Sequence, residues 1–222
     1  MRVRTRNRTV VANVSLSMMW LALISTLTAE PTAPVPSALT IAVHMTHGMS
    51  NEIAKDALRE ASAIWKLGGV TLDWHTTSEP AASGRSTVDV TFDDAPGSVA
   101  GQDVPLGWVT LDPSGVPERT IFLSRKNALR LVDTIDEYRE RPVRFKERLI
   151  ARALGRALAH ELGHYLTGSK EHTVSGLMKG RRLADEFFSP ACVGFDVNSD
   201  ERRLAARMLA VAAASQPHAP GT

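Results

Sequence analysis

The longest periodic segment of the chain constrains the fold most, because it predicts one long and mostly buried helix. Apolar residues recur at helical spacing from residue 142 to about residue 166, and Pro142 suits the first turn of a helix. Between Ala157 and Leu166 the only charged residue is Glu161. A helix with so few charges is expected to pack into a core.

Two histidines lie one helical turn apart in this segment. His160 and His164 occupy positions i and i+4, so both side chains project from one face of the helix. Their ring nitrogens can then bind one Zn²⁺ at about 2.0–2.1 Å. Glu161 follows the first histidine and can act as general base toward a water whose pKa zinc lowers to about 7. The pattern predicts a hydrolytic zinc site.

A catalytic zinc ion needs a third protein ligand and keeps one position open for water. The helix is expected to end at residues 167–168, where a glycine allows the chain to turn. His172 follows after a short Gly-Ser-Lys-Glu return, and we favour it as the third ligand. Glu186, on a following helix, is the main alternative, and the remaining acidic candidates are Glu171 and Asp185.

The rest of the domain alternates strand and helix patterns. Apolar alternation predicts five strands, over residues 39–45, 70–75, 87–92, 107–111 and 120–123. Helical spacing predicts three further helices, over residues 50–67, 127–138 and 201–214. Ser50 is the expected N-cap of the first helix, and the pair Gly68-Gly69 is expected to end it. The order of these elements predicts an α+β domain.

The first 29 residues have the composition of a secretory signal. Four arginines lie within the first eight residues, and residues 10–27 are uncharged and mostly apolar. Ala29 offers a small residue at the expected cleavage site. We therefore predict a cleaved signal and a secreted or periplasmic protein with no stable membrane association. An uncleaved membrane anchor is the alternative, because the apolar run approaches the length of about 20 residues that spans a bilayer.

The remaining chain is expected to comprise a Pro-rich linker over residues 30–38, one folded domain over residues 39–215 and a disordered tail over residues 216–222. The whole chain has 26 basic and 24 acidic residues. Residues 1–29 contain four of the basic residues and no acid, so the rest carries 22 basic residues against 24 acidic ones. Positive charge outside the signal is therefore not in excess, and no nucleic-acid partner is predicted.

Two smaller features complete the prediction. Cys192 is the single cysteine, so an exported chain could form no internal disulfide, and we expect a buried thiol. Arg181 and Arg182 are interpreted as a solvated pair, with contact to a substrate carboxylate as the alternative. The oligomeric state is not predicted.

The stretch HELGHYLTGSKEH followed by SGLMKG resembles the metzincin clan of zinc peptidases, which share an HExxHxxGxxH/D motif and a downstream Met-turn. The resemblance implies that His160, His164 and His172 bind zinc and that Glu161 is the base. Met178 would be the Met-turn residue beneath the metal. The spacing departs from the motif, because Thr167 and Lys170 stand where the strict pattern has glycine and histidine.

The resemblance also implies a metzincin-like zincin fold. It would contain a twisted mixed sheet of about five strands, an antiparallel edge strand and a long active-site helix. An extended peptide or protein substrate would pair with the edge strand at residues Gly107, Trp108, Val109 and Thr110. The expected activity is that of a zinc metalloendopeptidase. A catalytically silent zinc-binding module and an amidase that acts on cell-wall linkages are the alternatives.

Overall fold

The computed structural model describes residues 37–46, 49–76, 87–93 and 105–214. The predicted signal, most of the predicted linker and the predicted tail lie outside these residues. The described part contains five strands and six helices: β1 (Ser37–Met45), α1 (Asn51–Leu67), β2 (Val70–Thr76), β3 (Thr87–Asp93), β4 (Gly107–Leu111), β5 (Pro117–Ser124), α2 (Arg125–Asp133), α3 (Asp136–Arg139), α4 (Val143–Thr167), α5 (Ala184–Phe188) and α6 (Ser199–Ala214). In this part of the chain, no helix has the length and apolar character needed to cross a bilayer.

The five strands form one mixed sheet in the order β2-β1-β3-β5-β4. The first four strands of this order run parallel, with Ile41 opposite Val88 and Val90 opposite Ile121. Only β4 runs antiparallel, and it lies at the edge beside β5. The α+β class, the mixed sheet of five strands and the antiparallel edge strand are therefore confirmed.

Helix α4 is 25 residues long and forms the centre of the helical layer. It packs against α1 and against the strands β4 and β5. Gly155 makes the contact with α1 close, since a Cβ atom there would lie 2.5 Å from the carbonyl oxygen of Ala57. The indole nitrogen of Trp65 donates to the carbonyl of Ala159 at 3.0 Å and links the two helices through the core.

The ends of α1 and α4 follow the local chemistry of the sequence. The Ser50 hydroxyl accepts a hydrogen bond from the amide of Glu52 and caps α1. Gly69, just after α1, and Gly168, just after α4, both have positive φ angles that favour glycine. Pro142 lies one position outside its expected place, as the N-cap of α4.

Three expected boundaries were wrong. Strand β1 begins at Ser37, inside the predicted linker, because residues 37 and 38 already pair with β2. Strand β5 begins at Pro117 instead of residue 120, because Pro117 pairs with Leu111. The helix expected over residues 127–138 is divided in two, since the Thr134 hydroxyl donates to the Leu131 carbonyl at 2.7 Å where α2 ends.

Candidate metal centre

His160 and His164 lie on the last turns of α4, and the loop after α4 brings His172 back to them. Gly168 ends the helix in the left-handed conformation with a φ angle of 63°. The amide of Ser169 then donates to the carbonyl of His164 at 3.2 Å, which turns the chain back along the helix end. His172 reaches the pair from this loop, and its side chain remains exposed.

The three imidazoles converge on one point. One ring nitrogen from each histidine lies within 4.8 Å of the others. The Nε2 atoms of His160 and His164 are 3.2 Å apart. Two nitrogens that share a tetrahedral zinc ion at about 2.0–2.1 Å are separated by about 3.3 Å. The spacing of the first two histidines therefore fits a shared metal ion.

The other nitrogen of each helical histidine is held by a backbone carbonyl. The Nδ1 atom of His160 lies 2.9 Å from the Leu177 oxygen, and that of His164 lies 2.8 Å from the Ser169 oxygen. When each Nδ1 carries the proton, it donates a hydrogen bond to the carbonyl. Each Nε2 then has a free lone pair that can bind a metal ion. This arrangement orients the rings and is typical of the surroundings of metal-binding histidines.

Burial keeps the helical histidines neutral. It lowers the pKa of His160 to about 4, although the hydrogen bond to the Leu177 carbonyl opposes the shift. Burial also lowers the pKa of His164, and the hydrogen bond to the Ser169 carbonyl again acts in the opposite direction. Neutral imidazole is the form that binds metal ions. The pair is therefore ready to bind a metal at neutral pH.

Glu161 lies between the histidines and the edge strand. Its side chain is 9% exposed, and its Oε2 atom accepts a hydrogen bond from the Val109 amide at 3.1 Å. Burial raises the pKa of Glu161 to about 7, while this hydrogen bond acts to lower it. A carboxyl group with such a pKa can accept and release a proton near neutral pH. The Val109 contact was not predicted, because it joins residues 52 positions apart.

Met178 lies against the metal-binding face of α4. It is 3% exposed, and a Cβ atom at Gly163 would lie 2.2 Å from its Sδ atom. The amide of Thr173 donates to the Met178 carbonyl at 2.8 Å, which ties this turn to the loop that carries His172. Gly180 also packs closely, because a Cβ atom there would lie 3.0 Å from the His172 ring. Small residues thus allow the turn to approach the three histidines.

The acidic alternatives for the third ligand are not in the histidine cluster. Among the described residues, the only group with metal-binding geometry is formed by the three histidines. Glu186 is used elsewhere, since its Oε1 atom accepts from Lys179 Nζ at 2.9 Å and its Oε2 atom accepts from the Leu183 amide at 2.6 Å. Glu171 and Asp185 are exposed. The geometry favours His172 over Glu186.

The predicted substrate strand is the edge of the sheet beside this centre. The Trp108 ring stacks on the Phe122 ring at 5.4 Å, and the Thr110 hydroxyl donates to the Thr120 carbonyl at 3.3 Å. Gly107 has little free space, because a Cβ atom there would lie 2.8 Å from the Leu123 side chain. These contacts attach β4 to β5 and leave its other edge next to Glu161.

A cleft of about 970 Å³ adjoins the histidines. His160, Glu161 and His172 line one part of it. Another part is lined by basic side chains, those of Lys179, Arg181 and Arg182. The cleft therefore offers space for a ligand beside the three imidazoles.

Two expectations near the cleft were wrong. Arg182 is not solvated, since its side chain is 4% exposed and its guanidinium lies 3.8 Å from the Phe195 ring centroid. Arg181 is exposed, as expected. Cys192 is exposed rather than buried, because it lies in an irregular segment between α5 and α6 and not in an element of the core.

The comparison with known proteins gives matches at the level of structure. No family model matches the chain, and no curated protein matches it. Archaemetzincin from Methanopyrus kandleri is similar with a TM-score of 0.51 and 14% identity, over 81% of this chain and 99% of that one. A zinc-dependent peptidase from Methanocorpusculum labreanum has a TM-score of 0.45 and 11% identity, over 66% and 91% of the two chains.

Metalloproteinase-II from Bacteroides fragilis has a TM-score of 0.45 and 11% identity, over 81% of this chain and 55% of that one. At these sequence identities the similarity concerns the fold alone. The archaemetzincin structure is the one on which the fold comparison rests. The fold expected from the resemblance to the zinc peptidases is therefore confirmed. The chain has the fold of an archaemetzincin, and three of its histidines converge as a metal ion would require.

Proposed function

We propose that this chain is an exported zinc metallopeptidase that hydrolyses peptide bonds, with zinc bound by His160, His164 and His172. The observation that carries the proposal is the convergence of three imidazole nitrogens beside a buried carboxyl group in a cleft. The fold shared with an archaemetzincin supports it. The metzincin assignment rests in addition on the HELGH motif and on Met178 in the turn that follows.

The residues present fit a zinc ion. Three imidazoles are a donor set that zinc commonly uses in hydrolytic enzymes, where the fourth position remains for water. A bound zinc ion would polarise the scissile carbonyl and lower the pKa of a water molecule to about 7. The hydrogen bonds to the Leu177 and Ser169 carbonyls would keep the rings of His160 and His164 oriented toward the metal.

Glu161 would move the proton. Its pKa of about 7 allows the carboxylate to take a proton from the attacking water and to return it to the leaving amine. The Val109 amide holds this carboxyl group at the border between the metal centre and β4. The edge of β4 that faces away from β5 could pair with an extended substrate. This pairing would place the scissile carbonyl of the substrate next to Glu161.

The test of this mechanism compares zinc content and proteolysis in one variant. We expect Glu161→Ala to keep zinc and to lose about 10²–10⁴-fold in the rate of peptide hydrolysis, the contribution typical of a general base. Glu147→Ala, on the same helix but outside the cleft, is the matched control and should keep full activity. A Glu161→Ala protein with wild-type activity would contradict the mechanism.

The alternatives predict other results in the same assays. A zinc-containing protein that digests peptidoglycan but neither casein nor a peptide library would be an amidase of cell-wall linkages. A zinc-containing protein that cleaves none of these substrates would be a binding module without activity.

Export is the part of the proposal that depends on residues 1–29. Its test is N-terminal sequencing of the mature protein recovered from the periplasm or the medium. Cleavage next to Ala29 would support the signal, and an intact N-terminus in the membrane fraction would support the anchor.

A further inference from the structure

Arg182 is a buried cation beside the turn that carries Met178. Its side chain is 4% exposed, and its guanidinium carbon lies 3.8 Å from the centroid of the Phe195 ring. A planar guanidinium stacks on an aromatic face in a way that an ammonium group cannot reproduce. Burying a charged group is costly unless hydrogen bonds compensate for the lost water. The hydrogen-bond partners of Arg182 therefore indicate its role.

These partners are backbone carbonyls from two separate segments. The Nη2 atom of Arg182 donates to the carbonyl of Gly176, to that of Leu177 at 3.3 Å and to that of Gly194 at 2.8 Å. Gly176 and Leu177 belong to the turn that carries Met178, and Gly194 lies between α5 and α6. Carbonyl oxygens that point at one place concentrate negative charge, which a cationic donor offsets. Arg182 thus joins the two segments through their carbonyl groups.

One of these carbonyls is shared with the metal centre. The Leu177 oxygen lies 2.9 Å from the Nδ1 atom of His160 and 3.3 Å from the Nη2 atom of Arg182. A carbonyl oxygen has two lone pairs and can accept both hydrogen bonds. The group that orients the first histidine ligand is therefore also held by the buried arginine.

The direction of the Leu177 carbonyl depends on contacts at its own peptide group. The amide of Leu177 donates to the Asp196 carbonyl at 2.9 Å, but that amide belongs to the preceding peptide group. A planar peptide group can rotate about its two flanking bonds and redirect its oxygen without a large shift of the chain. A donor at the oxygen itself opposes this rotation, and Arg182 supplies one in addition to His160.

We propose that Arg182 is a positioning residue of the metal centre, which holds the Leu177 carbonyl in the direction that orients the His160 imidazole toward the metal. This inference rests on the proposed function, because it takes zinc as the ligand of the same site. Arg182 acts through Leu177 in this role and needs no contact with the metal or the substrate. Loss of such outer contacts typically weakens metal binding by about 10–100-fold.

The first test uses the wild-type protein as purified and needs no bound zinc. The protons on Arg182 Nη2 and on His160 Nδ1 both point at the Leu177 oxygen, so NMR should detect a nuclear Overhauser effect between them. Both protons should also exchange slowly with water, because the groups are buried. Two assigned resonances without this contact overturn the proposal.

The second test measures zinc affinity in Arg182→Lys by competition with a chelator. Lysine keeps the positive charge but can neither stack as a planar group nor reproduce the fixed arrangement of donors. The effect of the substitution therefore reports the position of the carbonyl and not the loss of a charge. We expect the zinc dissociation constant to rise at least about 10-fold, and the exchange of the His160 Nδ1 proton with water to become faster.

Arg156→Lys is the matched control. Arg156 is also fully buried, and its guanidinium carbon lies 4.9 Å from the same Phe195 ring. In the described part of the chain its hydrogen bonds go to Glu60 and to backbone carbonyls within residues 186–191. This variant should lose stability and keep the zinc affinity of the wild type. An equal loss of zinc affinity in both variants would mean that Arg182 only stabilises the fold, and it overturns the proposal. If Arg182→Lys does not fold, the NMR contact in the wild type decides.

The role of Arg182 and the peptidase function can fail separately, because neither zinc affinity nor the NMR contact depends on catalysis. Weaker zinc binding by Arg182→Lys, together with a wild type that cleaves no peptide, supports the role of Arg182 and contradicts the peptidase function. Unchanged zinc binding by Arg182→Lys, together with a wild type that cleaves peptides, contradicts the role of Arg182 alone.

Discussion

The contact between Gly163 and Met178 makes a prediction that changes sign with the background in which it is tested. Gly163 is the fourth residue of the HELGH motif in α4. A Cβ atom there would lie 2.2 Å from the Sδ atom of Met178. The two next nearest atoms, at 3.3 and 3.6 Å, also belong to Met178. Met178 alone therefore blocks a side chain at position 163.

The expected free energies follow from this geometry. Overpacking a filled core costs about 1–3 kcal/mol, whereas replacing glycine by alanine inside a helix gains about 0.5–1 kcal/mol. The sulfur must move by more than 1 Å from a site that is 3% exposed, so we expect Gly163→Ala to destabilise the wild type by about 1–2 kcal/mol. In a Met178→Ala background the obstacle is gone, and Gly163→Ala should stabilise by about 0.5–1 kcal/mol.

A double-mutant cycle tests these values. Urea denaturation at fixed pH would measure the free energy of unfolding of the wild type, both single variants and the double variant. Met178→Ala alone should cost about 2–5 kcal/mol, so the wild type must be stable enough to accommodate that loss. The coupling free energy between the two positions should be about 2 kcal/mol, within the range for residues in contact. If Gly163→Ala destabilises both backgrounds equally, Met178 does not pack beneath the motif.

Three further predictions concern the third metal ligand His172, the buried Glu201 and the buried Arg156. His172→Ala should weaken zinc binding by more than ~100-fold while Glu186→Ala keeps zinc, as metal analysis after dialysis can show. Burial raises the pKa of Glu201, so the folded state binds its proton more tightly and stability falls as pH rises through that pKa. Glu201→Gln should remove this loss, so the free energy of unfolding of the variant relative to wild type should rise with pH in urea denaturation. A difference between the two proteins that stays constant with pH would contradict this prediction. Arg156→Ala should cost about 3–5 kcal/mol in thermal unfolding, because it leaves Glu60, 2.8 Å from Arg156 Nε, without its partner.

Periodicity predicted the parts of the structure that depend on local sequence. The helix that carries His160 and His164 was evident from apolar spacing, and its end at Gly168 was evident from glycine chemistry. The antiparallel edge strand came from the resemblance to the metzincins. These features determine where the histidine cluster lies, so the outline of the centre could be predicted before the structure was known.

Contacts between distant polar residues could not be predicted in this way. Arg156 and Glu60 are 96 positions apart, and Val109 and Glu161 are 52 positions apart. A buried ion pair or a single backbone hydrogen bond leaves no period in the sequence. The burial of Arg182 was missed for the same reason, because it depends on Phe195 and on carbonyls from two separate turns.

The third histidine illustrates the limit of motif spacing. His172 lies eight residues after His164, two more than the strict metzincin motif allows. The loop after Gly168 nevertheless returns His172 to within ligand distance of the helical pair, since the left-handed glycine reverses the chain and Gly180 leaves room for the imidazole. Loop conformation, rather than residue count, decides whether a third ligand reaches the metal.

The metal content of the purified protein tests the central claim most directly. After equilibration with zinc and removal of the excess, elemental analysis should find one zinc ion per wild-type chain, one in Glu161→Ala and essentially none in His160→Ala. A wild-type protein without zinc, or a His160→Ala protein that keeps it, would contradict the metal centre on which the proposed function depends.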